Sequence, residues 1–235
     1  MKKISVGFLV FNENDNLQQT IRQAYTNLKK ISNNFDIWVF DNNSNDGSSA
    51  TINNLSAEIK ELRLYKQKIN VGYAQNLNSA IQKMEAEYIF VIDGDGQYDV
   101  SDIESGMKLL KENDVIFGIR KPRRDPVIRI LMSYFLGLLS KVILNSKLDD
   151  INCGFKGFTF LASKKIRINY NYNFAGPEVY TMSKINNLKI CQMRIKHYER
   201  MSGVSYFNGF FKIIVSCITM VKYLLQLRKI LKKNL

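Results

Sequence analysis

Hydrophobic residues follow two alternating patterns over the first 120 positions of the chain. Short continuous apolar runs are typical of strands buried on both faces, and apolar residues recurring every three or four positions are typical of one helix face. The runs predict strands at Ile4–Phe11, Phe35–Phe40, Leu62–Gln67, Glu87–Ile92 and Val115–Ile119. The periodic stretches predict helices at Asn14–Ile31, Ser48–Lys60, Tyr73–Met84 and Ser101–Lys111. This alternation predicts an α/β fold with a mostly parallel open sheet flanked by helices.

Polar residues cluster after the predicted strands. The clusters lie at 12–13, 41–46, 70–72 and 93–97. In open α/β sheets, ligands bind at the carboxyl ends of the strands. We therefore expect the four clusters to meet at one edge of the sheet and form a ligand site.

The second half of the chain is less regular. A basic loop containing two prolines covers 120–126, and the block at 149–158 combines acids, glycines and aromatics without a period. Apolar spacing predicts helices at Val127–Leu144, Glu178–Asn186 and Phe207–Leu231 and a strand at Lys189–Ile195. No segment has the composition of a linker between independent domains.

The composition is that of a globular chain with excess positive charge. Of its 235 residues, 46% are hydrophobic and 23% charged, which excludes disorder as the main state. Lys and Arg number 34 against 21 Asp and Glu, giving a net charge of +13. Nucleic acid, anionic lipid and phosphorylated small molecules are candidate partners for such a chain. The basic residues concentrate at 120–129 and near the C-terminus rather than on one aromatic-bearing face, so we expect no nucleic-acid partner.

The cysteines and the histidine exclude several kinds of site. Cys153, Cys191 and Cys217 are far apart, which disfavours a disulfide framework or a thiolate zinc site and fits a reducing, cytoplasmic compartment. His197 is the only histidine, so a site built from several histidines is excluded. We expect no signal peptide and no spanning helix, because no uncharged apolar run reaches the roughly 18 residues that a span needs.

The sequence Asp93-Gly94-Asp95 follows a predicted strand and carries candidate metal ligands. Two carboxylates separated by one glycine can converge on a hard divalent cation such as Mg²⁺ or Mn²⁺, and Gln97 could add a neutral oxygen. Such a cation would neutralise a diphosphate leaving group. A solvated acidic turn is the alternative, and the neighbouring polar clusters favour the functional interpretation.

The C-terminal segment at 207–235 predicts an amphipathic helix distinct from a domain at 1–206. Nine apolar or small residues lie between Lys212 and Lys222, and five basic residues but no acid lie between Lys222 and Leu235. This pattern is typical of a helix lying in an anionic membrane interface. The helix at Val127–Leu144 could supply a second apolar face. Packing of both helices on the sheet is the alternative.

Eight sequence motifs, in order from about residue 4 to 206, resemble those of one family. They lie at 8–13, 41–47, 70–73, 93–98, 118–120, 150–156, 176–178 and 197–205. The chain resembles family 2 glycosyltransferases of the GT-A fold, and more narrowly the dolichyl-phosphate mannosyltransferase and polyprenyl-phosphate glycosyltransferase group. Two residues depart from the family pattern: Leu9 stands where the family often has Pro, and Asn42 where it often has Asp. Several members also continue into transmembrane helices, which we do not expect in this sequence.

The resemblance implies a role for each matching residue. The nucleotide-sugar would contact Phe11, Asn12, Glu13, Asp41, Asn70, Gly72, Asn76, Asp93 and Gly94. Asp93, Asp95 and Gln97 would bind Mg²⁺ or Mn²⁺. Phosphates and the acceptor would contact Arg120, Arg124, Arg200 and Ser205. The catalytic residues would be Asp95, Asp150 and Glu178.

The function so implied is that of an inverting hexosyltransferase in cell-envelope or glycan biosynthesis. It would move a sugar from a nucleotide-diphosphate sugar to a polyprenyl phosphate of the dolichyl or undecaprenyl type, at the cytoplasmic face of the membrane. A membrane-protein partner that supplies a spanning segment stays open. One alternative is transfer to a hydroxyl of a polysaccharide or lipopolysaccharide precursor, with Asp150 or Glu178 as general base. Another is a basic nucleic-acid-binding or membrane-binding protein without enzymatic activity.

Overall fold

The computed structural model describes residues 2–125, 127–170, 172, 174–200 and 210–234. The strands of this part are β1 (Lys2–Val10), β2 (Phe35–Asp41), β3 (Leu62–Lys66), β4 (Ala86–Asp93), β5 (Val115–Arg120), β6 (Lys156–Thr159) and β7 (Ile190–Ile195). The helices are α1 (Asn14–Ile31), α2 (Ser48–Glu58), α3 (Tyr73–Lys83), α4 (Asp102–Leu110), α5 (Val127–Leu144), α6 (Phe160–Lys165), α7 (Gly176–Ile185) and α8 (Phe210–Asn234).

The seven strands of the described residues form one sheet in the order β3-β2-β1-β4-β6-β5-β7. All neighbouring pairs are parallel except those of β6, which runs antiparallel to β4 and β5. The mostly parallel sheet is confirmed. Neither β6 nor α6 was predicted, because four and six residues are too few to show a period.

Helices cover both faces of the sheet and create two hydrophobic clusters. Alternate residues of β1 face opposite sides: Val6 and Phe8 pack with α1, α2 and α4, whereas Leu9 packs with α3, α6, α7 and α8. This alternation follows from the two-residue period of a strand. Helices cover both faces of the sheet, so a ligand can reach the sheet at the carboxyl ends of its strands.

The turn after β3 shows how a site residue is positioned locally. Gly72 precedes α3 with φ of 81° and ψ of 165°, a combination that residues with a Cβ atom essentially do not adopt. It directs the chain from the strand edge into α3, whose first residue is Tyr73. The glycine is therefore required by the backbone path that brings Tyr73 to the site.

The C-terminal helix α8 packs along α5 and α7. Met220, Tyr223, Leu224 and Leu227 are fully buried there, and the hydroxyl of Tyr223 donates a hydrogen bond to Glu178 at 3.0 Å. This part of α8 thus belongs to the core, while the expected boundary between 206 and 207 lies outside the described residues. In the described part of the chain, no helix combines the length and apolar character needed to cross a membrane.

Because one face of α8 is buried, we expect alanine substitutions at two adjacent leucines to change the free energy of unfolding by different amounts. Leu224→Ala removes a fully buried side chain and should lower the free energy of unfolding by about 2–5 kcal/mol. Leu225→Ala changes a side chain that is 47% exposed and should stay within about 0.5 kcal/mol of the parent. Urea denaturation measures both. Equal effects would show that α8 is not packed in this way.

Candidate active site

A cleft of about 590 Å³ lies at the carboxyl ends of β1, β2 and β4, and residues of α5 and of the start of α7 also line it. The four predicted polar clusters meet there. Of the residues predicted for the donor, the lining includes Phe11, Asn12, Glu13, Asn70, Gly72, Asn76, Asp93 and Gly94. Of the predicted metal and phosphate ligands, it includes Asp95, Arg120 and Arg200. Ser205 lies outside the described residues.

Amide side chains hold the turns on the β1–β3 side of the cleft. Asn42 donates to Oδ1 of Asn70 at 2.9 Å and accepts from the backbone N–H of Val71 at 2.8 Å. Asn76 donates to the carbonyl of Phe40 at 2.8 Å. These bonds leave a rigid polar wall before any ligand arrives.

Asp41, predicted to contact the nucleobase, does not line the cleft. It is buried beneath it, where one carboxylate oxygen accepts from the backbone N–H of Ser44 at 2.8 Å and the other from the hydroxyl of Ser49. Asp41 therefore stabilises the turn that follows β2, and Asn42 lines the cleft in its place.

The carboxylates Asp93 and Asp95 line the cleft at the end of β4. Asp93 accepts a hydrogen bond from the hydroxyl of Tyr73 at 3.0 Å, and Asp95 accepts from the backbone N–H of Gln97 at 3.2 Å. Burial, together with the charge of Asp93, raises the pKa of Asp95 to about 7. Burial also raises the pKa of Glu13, which forms an ion pair with Arg200. Arg200 also lies 4.0 Å from Asp95, so three carboxylates and one guanidinium group meet on this side of the cleft.

The donor set suits a hard divalent cation with an incomplete protein shell. Carboxylate oxygens are the ligands that Mg²⁺ prefers, and a cation would relieve the repulsion between the two partly buried aspartates. Among the described side chains, no group of three or more His, Cys, Asp or Glu converges as a closed metal cage. Gln97 does not line the cleft; its amide donates to the carbonyl of Tyr198 at 3.0 Å.

Arginine side chains form a positively charged wall of the cleft. Arg120 makes a bidentate contact with Asp150, with both N–O distances at 2.7 Å, and lies 3.6 Å from Asp125. Arg123 lines the cleft and contacts Asp125 at 2.7 Å, whereas the predicted Arg124 is exposed and outside the lining. Sequence reasoning missed Arg123, because nothing in two adjacent arginines shows which one faces inward.

Neither Asp150 nor Glu178 lines the cleft, although both were predicted to be catalytic. Burial would raise the pKa of Asp150, but its bonds and ion pair with Arg120 hold it below the usual value. Glu178 is fully buried and accepts hydrogen bonds from the backbone N–H groups of Asn169 and Tyr170 and from Tyr223. Both carboxylates bind structural partners and lie outside the lining, so neither is positioned to take a proton from a ligand in the cleft.

His197 supports the basic loop as a neutral ring. Burial lowers its pKa to about 4, and its Nδ1 accepts from the backbone N–H of Arg124 at 3.2 Å. The ring packs edge-on against Tyr98 with 5.3 Å between centroids. A β-bridge between the same two residues brings the segment that carries Arg200 to the cleft.

Lys156 is a further cleft residue; it lies in the motif at 150–156, where the sequence left open a phosphate contact or a solvated side chain. It lies in β6, is 2% exposed and lines the cleft. Its ammonium donates to the carbonyl of Cys153 and lies 5.8 Å from the ring centre of Phe117. Because β6 was not predicted, its inward direction could not be predicted either.

The fold and the cleft define a class: an α/β enzyme that binds its ligand at the strand ends beside an Asp-x-Asp pair. A family model described as glycosyl transferase family 2 matches residues 5–167, and the chain belongs to this family. The chain is therefore a glycosyltransferase.

Curated relatives align along most of the chain. An uncharacterised protein of Methanocaldococcus jannaschii is 26% identical, with 94% of this chain and 95% of the relative aligned. A dodecaprenyl-phosphate galacturonate synthase of Rhizobium johnstonii is 22% identical, with 94% and 67% aligned. A dolichyl-phosphate β-glucosyltransferase of Trichomonas vaginalis is 22% identical, with 92% and 72% aligned.

Solved structures confirm the fold. Glucosyl-3-phosphoglycerate synthase from Mycobacterium tuberculosis, in complex with UDP, superposes with a TM-score of 0.67 at 13% identity, covering 97% of this chain and 80% of that one. A mannosyltransferase from Pyrobaculum calidifontis, in complex with GDP-Man and Mn²⁺, gives a TM-score of 0.63 at 12% identity, covering 98% and 70%. The GT-A fold expected from the sequence is thus confirmed.

Because Gly154 packs closely against Asp93, we expect a methyl group added at position 154 to lower the activity. A Cβ atom at Gly154 would overlap the Asp93 carboxylate, so Gly154→Ala should displace that carboxylate and lower kcat/KM by about 10²-fold. Gly137→Ala in α5 is the control, because its nearest neighbour would be 4.0 Å away. Steady-state kinetics and thermal melts of both variants test this. Wild-type kcat/KM in Gly154→Ala would contradict the placement of Asp93.

Proposed function

We propose that this glycosyltransferase moves a sugar, with inversion, from a nucleotide-diphosphate sugar to a polyprenyl phosphate. The observation that carries the proposal is the charge arrangement of the cleft. The Asp93–Asp95 pair faces the cationic side chains of Arg120, Arg123 and Lys156 within one cavity. Such a cavity suits two phosphate-bearing ligands, since cationic side chains bind phosphate oxygens through charge-assisted hydrogen bonds.

The position of Asp150 and Glu178 outside the cleft lining favours a phosphate acceptor over a hydroxyl. A hydroxyl needs a general base, and the two predicted bases, Asp150 and Glu178, are held by structural partners outside the lining. A phosphate is already an anion and needs positioning only. The Rhizobium and Trichomonas relatives, whose names specify dodecaprenyl-phosphate and dolichyl-phosphate, support the same acceptor class.

In the proposed reaction, the nucleotide-sugar and the acceptor phosphate bind on opposite sides of Asp93 and Asp95. The nucleoside lies along the wall of Asn42, Asn70 and Asn76. Asp93 and Asp95 would hold Mg²⁺ or Mn²⁺, which supplies charge stabilisation for the departing diphosphate. Arg120 and Arg123 orient the acceptor phosphate so that one oxygen attacks C1 of the sugar. The C1–O bond to the nucleoside diphosphate breaks, its electron pair leaves with the diphosphate, and the configuration at C1 inverts.

Nucleotide release from a panel of nucleotide-sugars tests this function. We expect release to require Mg²⁺ or Mn²⁺ together with a short polyprenyl phosphate, and to be lost in Asp95→Asn. Arg123→Gln should lower kcat/KM for the lipid phosphate about 10- to 100-fold, the effect of one charged hydrogen bond. Arg124→Gln, which changes the exposed neighbour, is the matched control and should stay within about twofold.

Other outcomes separate the alternatives. Release that requires a sugar hydroxyl instead of the lipid phosphate would contradict the acceptor and favour the polysaccharide reaction. A chain that binds no nucleotide-sugar would contradict the donor.

We also propose that the enzyme is a peripheral protein at the cytoplasmic face of a membrane, where a polyprenyl phosphate acceptor would be anchored. Helix α5 exposes apolar side chains to solvent: Leu131, Tyr134, Phe135, Leu138 and Val142. Ser133 and Leu136 of the same helix line the cleft. The neighbouring α8 exposes basic residues, namely Lys222, Arg228, Lys229, Lys232 and Lys233. An apolar helix face beside basic side chains suits an anionic lipid surface.

Vesicle binding tests this orientation. The double variant Tyr134→Asp/Phe135→Asp should lose sedimentation with vesicles containing anionic lipid, because charge is placed where acyl chains would lie. Leu161→Asp on α6, at a side chain that is 71% exposed, is the control and should bind like the parent. Activity on a short, water-soluble polyprenyl phosphate should survive in both. Unchanged vesicle binding by the double variant would contradict the α5 surface.

A further inference from the structure

Of the described residues, three arginines line the cleft, and two of them pair their terminal nitrogens with carboxylates of the protein. Arg120 donates through Nε and Nη2 to the two oxygens of Asp150, and its Nη1 lies 3.6 Å from Asp125. Arg200 pairs through Nη2 with Glu13. Both guanidinium groups are therefore engaged by the protein itself.

Arg123, the third arginine of the lining, is paired in a different way. Its Nε donates to Oδ2 of Asp125 at 2.7 Å, and its Nη1 and Nη2 groups have no hydrogen-bond partner among the described residues. The side chain keeps 17% of its surface exposed. A guanidinium bonded through Nε retains four N–H donors on its two terminal nitrogens, and this fork can bind two oxygens of one phosphate.

The carboxylate that anchors Arg123 is itself fixed. The Asp125 side chain is only 1% exposed, and Nη1 of Arg120 lies 3.6 Å from the same oxygen that accepts from Arg123. The backbone next to it is held by His197, whose Nδ1 accepts from the N–H of Arg124 at 3.2 Å. A long side chain that is already anchored loses less conformational entropy when a ligand binds. The anchor therefore prepares Arg123 for binding.

We propose that Asp125 is a positioning residue that holds Arg123 with its two terminal nitrogens oriented for a substrate phosphate. The proposal rests on the proposed function, and the phosphate belongs either to the nucleotide-sugar or to the lipid acceptor. Asp125 does not line the cleft, so it acts through Arg123 rather than by touching a ligand. Neutralising Arg120 is the competing role of Asp125, and that role is purely structural.

A double-mutant cycle separates the two roles. Asp125→Asn, Arg123→Gln and the double variant are compared with the parent in kcat/KM for a short polyprenyl phosphate and in calorimetric affinity for UDP and GDP with Mg²⁺. We expect Asp125→Asn to lower one of these constants about tenfold in the parent, the effect of one charged hydrogen bond, and less than twofold in the Arg123→Gln background. The constant that shows this coupling identifies the phosphate. No loss in the parent, or equal losses in both backgrounds, would overturn the proposal.

A second variant covers the case in which Asp125→Asn does not fold. Arg123→Lys keeps a positive charge beside the buried carboxylate, but a lysine nitrogen lacks the planar fork that can pair with an anchor on one side and a phosphate on the other. We expect this variant to melt like the parent and to lose the same constant about tenfold. Kinetics and affinity equal to those of the parent would overturn the proposal.

The matched control is Asp149→Asn, which removes the charge of an exposed aspartate that pairs with Lys141 at 2.9 Å and lies outside the lining. It should leave both constants within about twofold. A parent chain that binds UDP or GDP but does not use the lipid phosphate would overturn the proposed acceptor, and the nucleotide affinities would then decide the role of Asp125. A parent chain that binds no nucleotide and uses no lipid phosphate would overturn the proposed function together with this proposal.

Discussion

The cleft depends on the close approach of the loop at 150–154 to the end of β4. Gly154 packs on the Asp93 carboxylate, and the Ile151 carbonyl packs on Gly176 at the start of α7. Both contacts leave no room for a Cβ atom, so they fix the loop, the acidic pair and the helix start relative to one another. Their position follows from β6, because the short antiparallel strand that continues this loop pairs with β4. Rigid placement of this kind is what a transferase needs, because the reacting atoms must meet within a fraction of an ångström.

Buried charge is the second constraint, and it explains why the predicted general bases serve the structure. Arg120 is mostly buried, and it is stable there because Asp150 and Asp125 neutralise it. Removing either carboxylate would leave an uncompensated charge, which costs several kcal/mol. Asp150, which resembles a catalytic residue in the sequence, therefore holds a cation that lines the cleft, whereas Glu178 holds backbone N–H groups and Tyr223. The reactive part of the site is left with Asp93 and Asp95, whose repulsion a bound cation relieves.

The sequence was sufficient to predict the elements in which a hydrophobic pattern repeats several times. It was also sufficient to predict the polar motifs that follow the strands. All five early strands, their helices and the cluster of polar turns at the sheet edge were predicted, since each has several residues of regular pattern. The directions in which single side chains point could not be predicted from the sequence. Arg123 and Arg124 are chemically equal neighbours, and only the fold of the loop decides which faces the cleft. The direction of Lys156 depends on β6, which is too short to leave a periodic signal.

Helix α5 links the chemistry of the cleft to the surface of the protein. Ser133 and Leu136 contribute to the cavity, while Tyr134 and Phe135, next to them in sequence, are exposed. One helix can do both because adjacent residues point about 100° apart around its axis. In the proposed membrane orientation, a lipid phosphate would reach the arginine wall while its apolar chain stays in the bilayer beside the exposed face. The excess positive charge acquires a physical role in this arrangement, since the basic end of α8 lies on the helix that packs against α5.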